Sequence, residues 1–375
     1  MILPAIAGAL IVAIVLWDAF ETIVLPRRVA RWFRLTRLYY ICAWFPWREV
    51  ARRIPLKKTR ETFLSFFGPL SLLVLFMLWA GALICGFGLL YYNASRHDGF
   101  DPSIGTCFYL SGTTFFTLGL GDVTPHTSIE RVFAVVESGL GFGFLALLLS
   151  YLPVIYQAFS RREVNIVLLD ARAGSPPTAA ELLRRHAGTR GVEALRQLLH
   201  EWERWSAELL ESHVSYPVVS YFRSQHNNES WLAALTAILD SCALLIAGSE
   251  DACSRQALLT FAMCRHTVVD LSQVFYAVPR GTAEDRLPAE DLQRLRASLV
   301  QAGWQLQNTP ASNSKLISLR HMYEPYVAAL SDHLYAELPP WILPMEIADN
   351  WKTSAWGRIS GLTAPLSSDA ASDDH

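Results

Sequence analysis

The stretch DPSIGTCFYLSGTTFFTLGLGDVTP, from Asp101 to Pro125, decides the fold, because it separates two apolar runs and is too short and too polar to cross a membrane itself. Asp101 and Ser103 with Pro102 form a helix-start signal, and a short helix is predicted over Thr106 to Phe116. The residues that follow are expected to be extended and to return to the same side. Non-helical backbone is tolerated at membrane depth only where it is buried in protein or lines a water-filled cavity.

Three apolar runs are long enough to span a bilayer. The first covers Ile2 to Trp17 and is extended to Leu25, the second covers Phe63 to Tyr92, and the third covers Ser138 to Ser160. Eleven Lys and Arg residues crowd the stretch from Arg27 to Arg60, and basic residues mark cytoplasmic loops. We therefore expect a multi-pass protein of the cell membrane, with its N-terminus outside and its C-terminus in the cytoplasm.

The composition divides the chain into a membrane half and a soluble half. Hydrophobic residues make up 52% of the chain and charged residues 18%, and the apolar residues concentrate near the front. From Thr178 onward, apolar residues recur at helical spacing and no strand alternation is visible. The predicted fold is an all-α membrane protein with an N-terminal transmembrane helix (1–26), a basic interfacial linker (27–61), a pore domain (62–162), a short linker (163–177), a helical cytoplasmic domain (178–360) and a disordered tail (361–375).

The extended segment after the short helix has glycine at alternate positions, in the order Thr117-Leu118-Gly119-Leu120-Gly121. Glycine lets successive carbonyls turn to the same side at positive φ. Four such segments would form rings of carbonyl oxygens that replace the hydration shell of a cation, with the Thr117 hydroxyl at the innermost site. The helix dipole adds negative potential at its C-terminal end. Asp122 is expected to stand behind this segment at the outer mouth.

The run TTFFTLGLGD, from Thr113 to Asp122, resembles the signature T-x-x-T-x-G-[YFL]-G-D of the potassium channel pore family. The resemblance covers about residues 63–162. It implies that K⁺ is coordinated by Thr117, Leu118, Gly119 and Leu120. It also implies that Gly141 is the hinge glycine of the inner helix. Because the chain carries one loop, the resemblance implies a homotetramer.

Two departures from that signature concern the outer part of the loop. Leu120 stands where tyrosine is commonest, so an apolar contact with the Tyr109-Leu110 region is expected to replace the missing hydroxyl. Thr113 stands where some relatives carry a glutamate that pairs with the aspartate. Asp122 must therefore find another partner or stay hydrated, and a nonselective cation channel on the same scaffold stays an alternative.

The third run carries the candidate gate. Gly141 and Gly143, followed by Pro153, allow bending, although the glycines would equally permit close helix packing. The gate is expected near residues 151–156. Glu137 lies inside the same run, where a carboxylate is a functional candidate because burying it unpaired is costly. It is expected to anchor to the back of the pore helix through Thr113 or Thr114.

Asp18 and Glu21 close the first run just before Pro26, Arg27 and Arg28. The modest interpretation is an interfacial salt-bridge cluster, and the bolder one is an element that couples the first span to the gate.

The soluble half contains no GxGxxG motif and no strand set, so it is expected to be a helical regulator of unknown ligand or protein partner. The expected partners are further copies of the chain and membrane lipid, with no nucleic acid and no cofactor beyond the transported K⁺. No convincing catalytic constellation is present, so we do not expect an enzyme. The remaining alternatives are a non-conducting scaffold that recruits partners and a membrane-anchored helical enzyme.

Overall fold

The computed structural model describes residues 2–25, 34–97, 99, 102–225, 228–249, 252–279 and 285–343. The described residues form helices and connecting turns without a strand, so the all-α prediction is confirmed. The helices are α1 (Ile2–Ala19), α2 (Leu35–Arg52), α3 (Lys57–Ser65), α4 (Phe67–His97), α5 (Ile104–Phe115), α6 (Ser128–Ala173), α7 (Ala179–Arg185), α8 (Thr189–Ser215), α9 (Trp231–Gly248), α10 (Ala252–Val274), α11 (Ala289–Gln301), α12 (Pro310–His321) and α13 (Glu324–Leu334). The predicted tail, the helix-start residue Asp101 and the basic residues Arg27 and Arg28 lie outside the described residues.

The chain divides into two compact units. The first, called the pore unit below, comprises Met1–Arg161 and Glu211–Arg223. The second, called the helical unit, comprises Arg162–Leu210 and Ser224–His375.

Among the described residues, four helical stretches are long and apolar enough to cross a membrane: Ile2–Val24, Lys57–His97, Ser128–Ala173 and Trp231–Gly248. The first three contain the runs predicted from the sequence. The fourth is buried over its whole length inside the helical unit, which is the pattern of a helix at the centre of a protein core.

Helix α1 packs along α4 through small residues. A Cβ atom added to Gly8 would lie 2.5 Å from the Gly86 carbonyl oxygen, and one added to Gly86 would lie 2.7 Å from Val12 Cγ2. Small residues let helix backbones approach closely where lipid provides no hydrophobic drive for association. The first span is therefore part of the pore unit, a point that the sequence left open.

Two predicted domain boundaries do not coincide with the division seen in the structure. The linker placed at 163–177 is helical as far as Ala173, because α6 continues without a break through the charged residues that were taken as its end. Within the predicted cytoplasmic domain, residues 211–223 belong to the pore unit. Neither the continuity of a helix nor the return of a segment to another unit has a local sequence signal.

The helical unit is built around the apolar helix α9. Its buried Asp240 accepts hydrogen bonds from Arg286, at 2.7 Å from Nη2 to Oδ2, and from the Tyr323 hydroxyl. Arg286 also lies 3.3 Å from a carboxylate oxygen of Glu324. A buried charge is tolerated when it is paired and hydrogen-bonded, so this network holds the loop before α11 and the start of α13 against the central helix.

Candidate functional site

Helix α5 is the short helix predicted from the sequence, and it begins and ends within two residues of the predicted bounds. Its N-cap is Ser103, whose hydroxyl oxygen accepts from the Thr106 backbone N–H at 3.1 Å. Such a cap satisfies one of the free donors at a helix start. The helix ends at Phe115, so its negative dipole end is directed at the residues that follow.

The segment after α5 alternates in backbone conformation. Positive φ angles occur at Thr117 (56°), Gly119 (54°) and Gly121 (82°). The positive φ expected at both glycines is present, and Thr117 adopts it although non-glycine residues do so only at a cost. Leu118 and Leu120 are exposed in the single chain, by 61% and 65%. The residues predicted to coordinate K⁺ thus form one continuous strip of alternating backbone.

Backbone hydrogen bonds attach the start of this strip to the end of α5. The Thr113 carbonyl accepts from the N–H groups of Leu118 at 2.8 Å and Gly119 at 3.3 Å. The Thr114 carbonyl accepts from the N–H of Thr117 at 3.0 Å. These bonds consume N–H groups of the strip and leave its carbonyl oxygens for other partners.

Asp122 finds the partner that the sequence left open. The Tyr109 hydroxyl donates to Asp122 Oδ2 at 2.8 Å, which joins α5 to the residue after the strip. Leu120 is exposed in the single chain, and its expected apolar contact with the Tyr109-Leu110 region stays a prediction.

Gly141 lies on α6 directly against the end of α5. A Cβ atom at Gly141 would lie 1.9 Å from the Phe115 carbonyl oxygen, whereas one at Gly143 would meet nothing within 4 Å. The close approach at Gly141 is what the packing interpretation expects, and α6 continues as one helix through both glycines and Pro153.

Glu137 is fully buried and faces the back of α5, as predicted, but its partner is not a threonine. The Ser111 hydroxyl forms a short hydrogen bond with Glu137 Oε1. Ser111 thus takes the place that the sequence analysis gave to Thr113 or Thr114, and the Thr113 hydroxyl instead donates to the Leu110 carbonyl of its own helix at 3.0 Å.

The arginines predicted to pair with the carboxylates at the end of the first span, Arg27 and Arg28, lie outside the described residues, so the interfacial salt-bridge cluster stays a prediction. Asp18 is buried and accepts from the Thr36 backbone N–H at 3.1 Å, from the Thr36 hydroxyl at 2.6 Å and from Trp79 Nε1 at 3.0 Å. Glu21 accepts from Trp17 Nε1 at 2.7 Å and lies 3.8 Å from Arg34 Nε. Asp18 therefore links α1, α2 and α4 by hydrogen bonds.

Residues 216–222, called the docking segment below, pack in the pore unit beside the predicted gate. Tyr216 contacts the ring of Tyr151, with centroids 5.7 Å apart, and Tyr151 is buried on α6. Tyr221 stacks on Tyr40 of α2 at 5.9 Å with nearly parallel rings. The docking segment thus makes aromatic contacts with two helices of the pore unit, the inner helix α6 and helix α2.

The outer helix, α4, also contacts the docking segment, at Gly68. A Cβ atom at Gly68 would lie 2.6 Å from the ring of Phe222, so only glycine admits that ring. The middle of the segment, including Val219, is buried. The sequence analysis missed this segment: the aromatic and β-branched run from Tyr216 to Phe222 marks it as apolar but does not indicate where it packs.

These features define a membrane protein with a re-entrant loop held between an outer and an inner helix. Residues 72–157 match a family described as "Ion channel". The match contains Thr113 to Asp122 and confirms the resemblance that these residues carry.

Two curated relatives are similar to the chain. The uncharacterized membrane protein YdjJ of Bacillus subtilis (strain 168) is 21% identical over 246 residues, which cover 64% of this chain and 70% of the relative. Protein LctB of Geobacillus stearothermophilus is 35% identical over 77 residues, which cover 17% of this chain and 57% of that protein. No solved structure matches the chain.

Proposed function

We propose that the protein is one subunit of a homotetrameric potassium channel, in which Thr117, Leu118, Gly119 and Leu120 coordinate K⁺. The observation that carries this proposal is the alternation of positive φ at Thr117, Gly119 and Gly121 in a strip attached to the end of a pore helix. Alternation of this kind turns successive carbonyl oxygens toward one side. Four copies would replace the hydration shell of a dehydrated cation with rings of carbonyl oxygens.

The test is flux of K⁺ against Na⁺ in liposomes that contain the purified full-length protein, comparing Gly119→Ala with Gly99→Ala. Both glycines have positive φ, 54° and 87°, and both have open space where a Cβ would lie. The backbone strain is therefore matched, at about 1 to 2 kcal/mol. Only Gly119 lies in the strip.

The proposal requires K⁺ flux well above Na⁺ flux in the wild type, its loss in Gly119→Ala and its retention in Gly99→Ala. Equal K⁺ and Na⁺ fluxes would support the nonselective channel, for which the exposed Leu120 in place of tyrosine is the motivating feature. Absence of flux from the wild type under all conditions would support the scaffold.

We further propose that the helical unit controls the gate through the docking segment, with the N-terminus outside and the helical unit in the cytoplasm. The chain leaves the helical unit at Leu210, contributes residues 211–223 to the pore unit and returns at Ser224. The chain therefore joins the helical unit at two points, Leu210 and Ser224. A displacement at either point would act on the aromatic contact between Tyr216 and Tyr151.

This second proposal can be tested from both sides of one contact. Phe222→Ala removes the ring, and Gly68→Ala adds a Cβ where that ring lies. Both variants should change K⁺ flux in the same direction, while K⁺ over Na⁺ selectivity stays as in the wild type. Gly81→Ala, on the same helix as Gly68, is the control, because a Cβ added there would meet nothing within 4 Å. Wild-type flux in both test variants would contradict control through this segment.

A further inference from the structure

Three helices of the pore unit meet at one buried polar cluster behind the filter strip. Ser111 of α5 is fully buried, and its hydroxyl oxygen lies 2.8 Å from the carbonyl oxygen of Ile84 on α4. The same hydroxyl oxygen is hydrogen-bonded to Glu137 Oε1 on α6. The cluster therefore joins the outer helix, the pore helix and the inner helix.

The number of hydrogen atoms available for the hydrogen bonds of this cluster depends on whether Glu137 is ionised or protonated. A serine hydroxyl carries one hydrogen, and an ionised carboxylate accepts but cannot donate. With Glu137 ionised, the single hydrogen of Ser111 would have to serve both Glu137 and the Ile84 carbonyl. With Glu137 protonated, Glu137 donates to Ser111 and Ser111 donates to Ile84, so each contact has its own hydrogen.

The surroundings of Glu137 offer no compensating charge. Among the described residues, no salt bridge includes it, and the Tyr91 hydroxyl lies beside it without closing a hydrogen bond of good geometry to its second oxygen, Oε2. The titratable groups that face it or lie nearby are the Tyr91 hydroxyl on α4, Cys107 on α5 and Glu130 on its own helix, none of them cationic. An unpaired buried carboxylate is costly under these conditions, and a neutral acid is not.

We propose that Glu137 is held as a neutral carboxylic acid whose proton links the inner helix to the pore helix through Ser111. Glu137 is then a positioning residue for the filter strip, which it does not touch. The link holds α5 at Ser111, one turn before the helix ends at Phe115 and the strip begins. Loss of the proton at alkaline pH would break the link and leave a charge among apolar side chains. The effect on flux rests on the proposed channel function, whereas the proton on Glu137 can be measured without it.

The first measurement is infrared difference spectroscopy of the full-length wild type against Glu137→Gln at neutral pH. A carbonyl stretching band of a protonated carboxylic acid should be present in the wild type and absent from the variant. A carboxylate band in its place would overturn the proposal, whether or not the protein conducts.

The second measurement is K⁺ flux from liposomes between about pH 7 and about pH 10, a range in which a neutral buried acid can lose its proton. The wild type should show a several-fold, reversible loss of flux toward alkaline pH. Glu137→Gln should conduct at neutral pH without that loss, because its amide can donate to Ser111 and does not titrate in this range. Tyr91→Phe is the control for the neighbouring phenol and should keep the alkaline loss.

An alkaline loss in Glu137→Gln equal to that of the wild type would overturn the proposal. Failure of Glu137→Gln to assemble would also count against it, because glutamine replaces a neutral acid without adding charge.

Discussion

The Tyr109 hydroxyl donates a hydrogen bond to Asp122 Oδ2 at 2.8 Å, and this bond spans the strip from α5 to the residue just beyond it. It fixes the outer end of the strip, whereas the Thr113 carbonyl fixes its inner end. The strip is therefore held at both ends by the same helix, although Leu120 offers no hydroxyl of its own.

Tyr109→Phe removes this bond and keeps the ring. A hydrogen bond to a carboxylate at an exposed site such as this one contributes less than a shielded one, because water competes for both partners. We expect conduction to persist with a lower K⁺ over Na⁺ permeability ratio, measured from reversal potentials. Tyr92→Phe makes the same chemical change at an exposed hydroxyl bonded to Arg96 and should leave the ratio unchanged. An unchanged ratio in Tyr109→Phe would show that the bond does not hold the filter.

Gly141→Ala separates packing from hinge bending. The added Cβ would lie 1.9 Å from the Phe115 carbonyl oxygen, so α6 must move away from the pore helix. We expect loss of assembled, conducting protein, measured by size-exclusion chromatography and K⁺ flux. Gly143→Ala adds its Cβ in open space and should assemble normally. Assembly of Gly141→Ala at wild-type levels would contradict the packing role.

Asp18→Asn tests the hydrogen bonds that join the first span to α2 and α4. The Thr36 hydroxyl and Trp79 Nε1 both donate to Oδ2, and the Thr36 backbone N–H also lies 3.3 Å from Oδ1. Asparagine removes the negative charge from these bonds, and its NH₂ group donates, so it must face either these donors or the Thr36 N–H. We expect destabilisation by about 1 to 3 kcal/mol, measured by unfolding in detergent. Glu49→Gln, at an exposed pair with Arg52, is the control and should change stability little. Equal stabilities of the two variants would mean that Asp18 contributes no more than a surface charge.

Asp240→Asn breaks the buried pair at the centre of the helical unit. It leaves the Arg286 guanidinium without its nearest carboxylate, and removing one partner of a buried ion pair costs about 3 to 5 kcal/mol. We expect a large drop in the unfolding temperature of the full-length protein by circular dichroism. Asp291→Asn, at an exposed pair with Arg294, should cost little. A similar unfolding temperature for both variants would contradict the structural role of the buried network.

His186 predicts a pH dependence of stability in the helical unit. Burial lowers the pKa of His186 below its usual value, and the nearby Arg172 and Arg185 act in the same direction. The unfolded chain therefore binds the proton more readily, so this contribution to stability is present above about pH 6.5 and is lost as the pH falls below it. Thermal unfolding between about pH 5 and about pH 8 should show this loss in the wild type and a smaller one in His186→Gln. Identical pH profiles would exclude His186 as its source.

Much of the membrane half follows from local sequence. Uncharged runs of sufficient length predict the spans because hydrocarbon excludes charge, and Ser103 with Pro102 predicts the start of the pore helix because a helix needs its first donors capped. Alternate glycines predict the backbone at Gly119 and Gly121 because only glycine adopts positive φ without strain. These properties depend on the residue and its immediate neighbours.

Contacts between distant residues were decided by the tertiary structure. The sequence named Glu137, Asp122 and Asp18 as carboxylates in need of partners, but not Ser111, Tyr109, or Thr36 with Trp79. A partner is selected by the rotation of one helix against another, to which many packing contacts contribute. The return of residues 211–223 to the pore unit has the same origin, because the position at which Phe222 meets Gly68 depends on the packed helices around it and not on any local pattern.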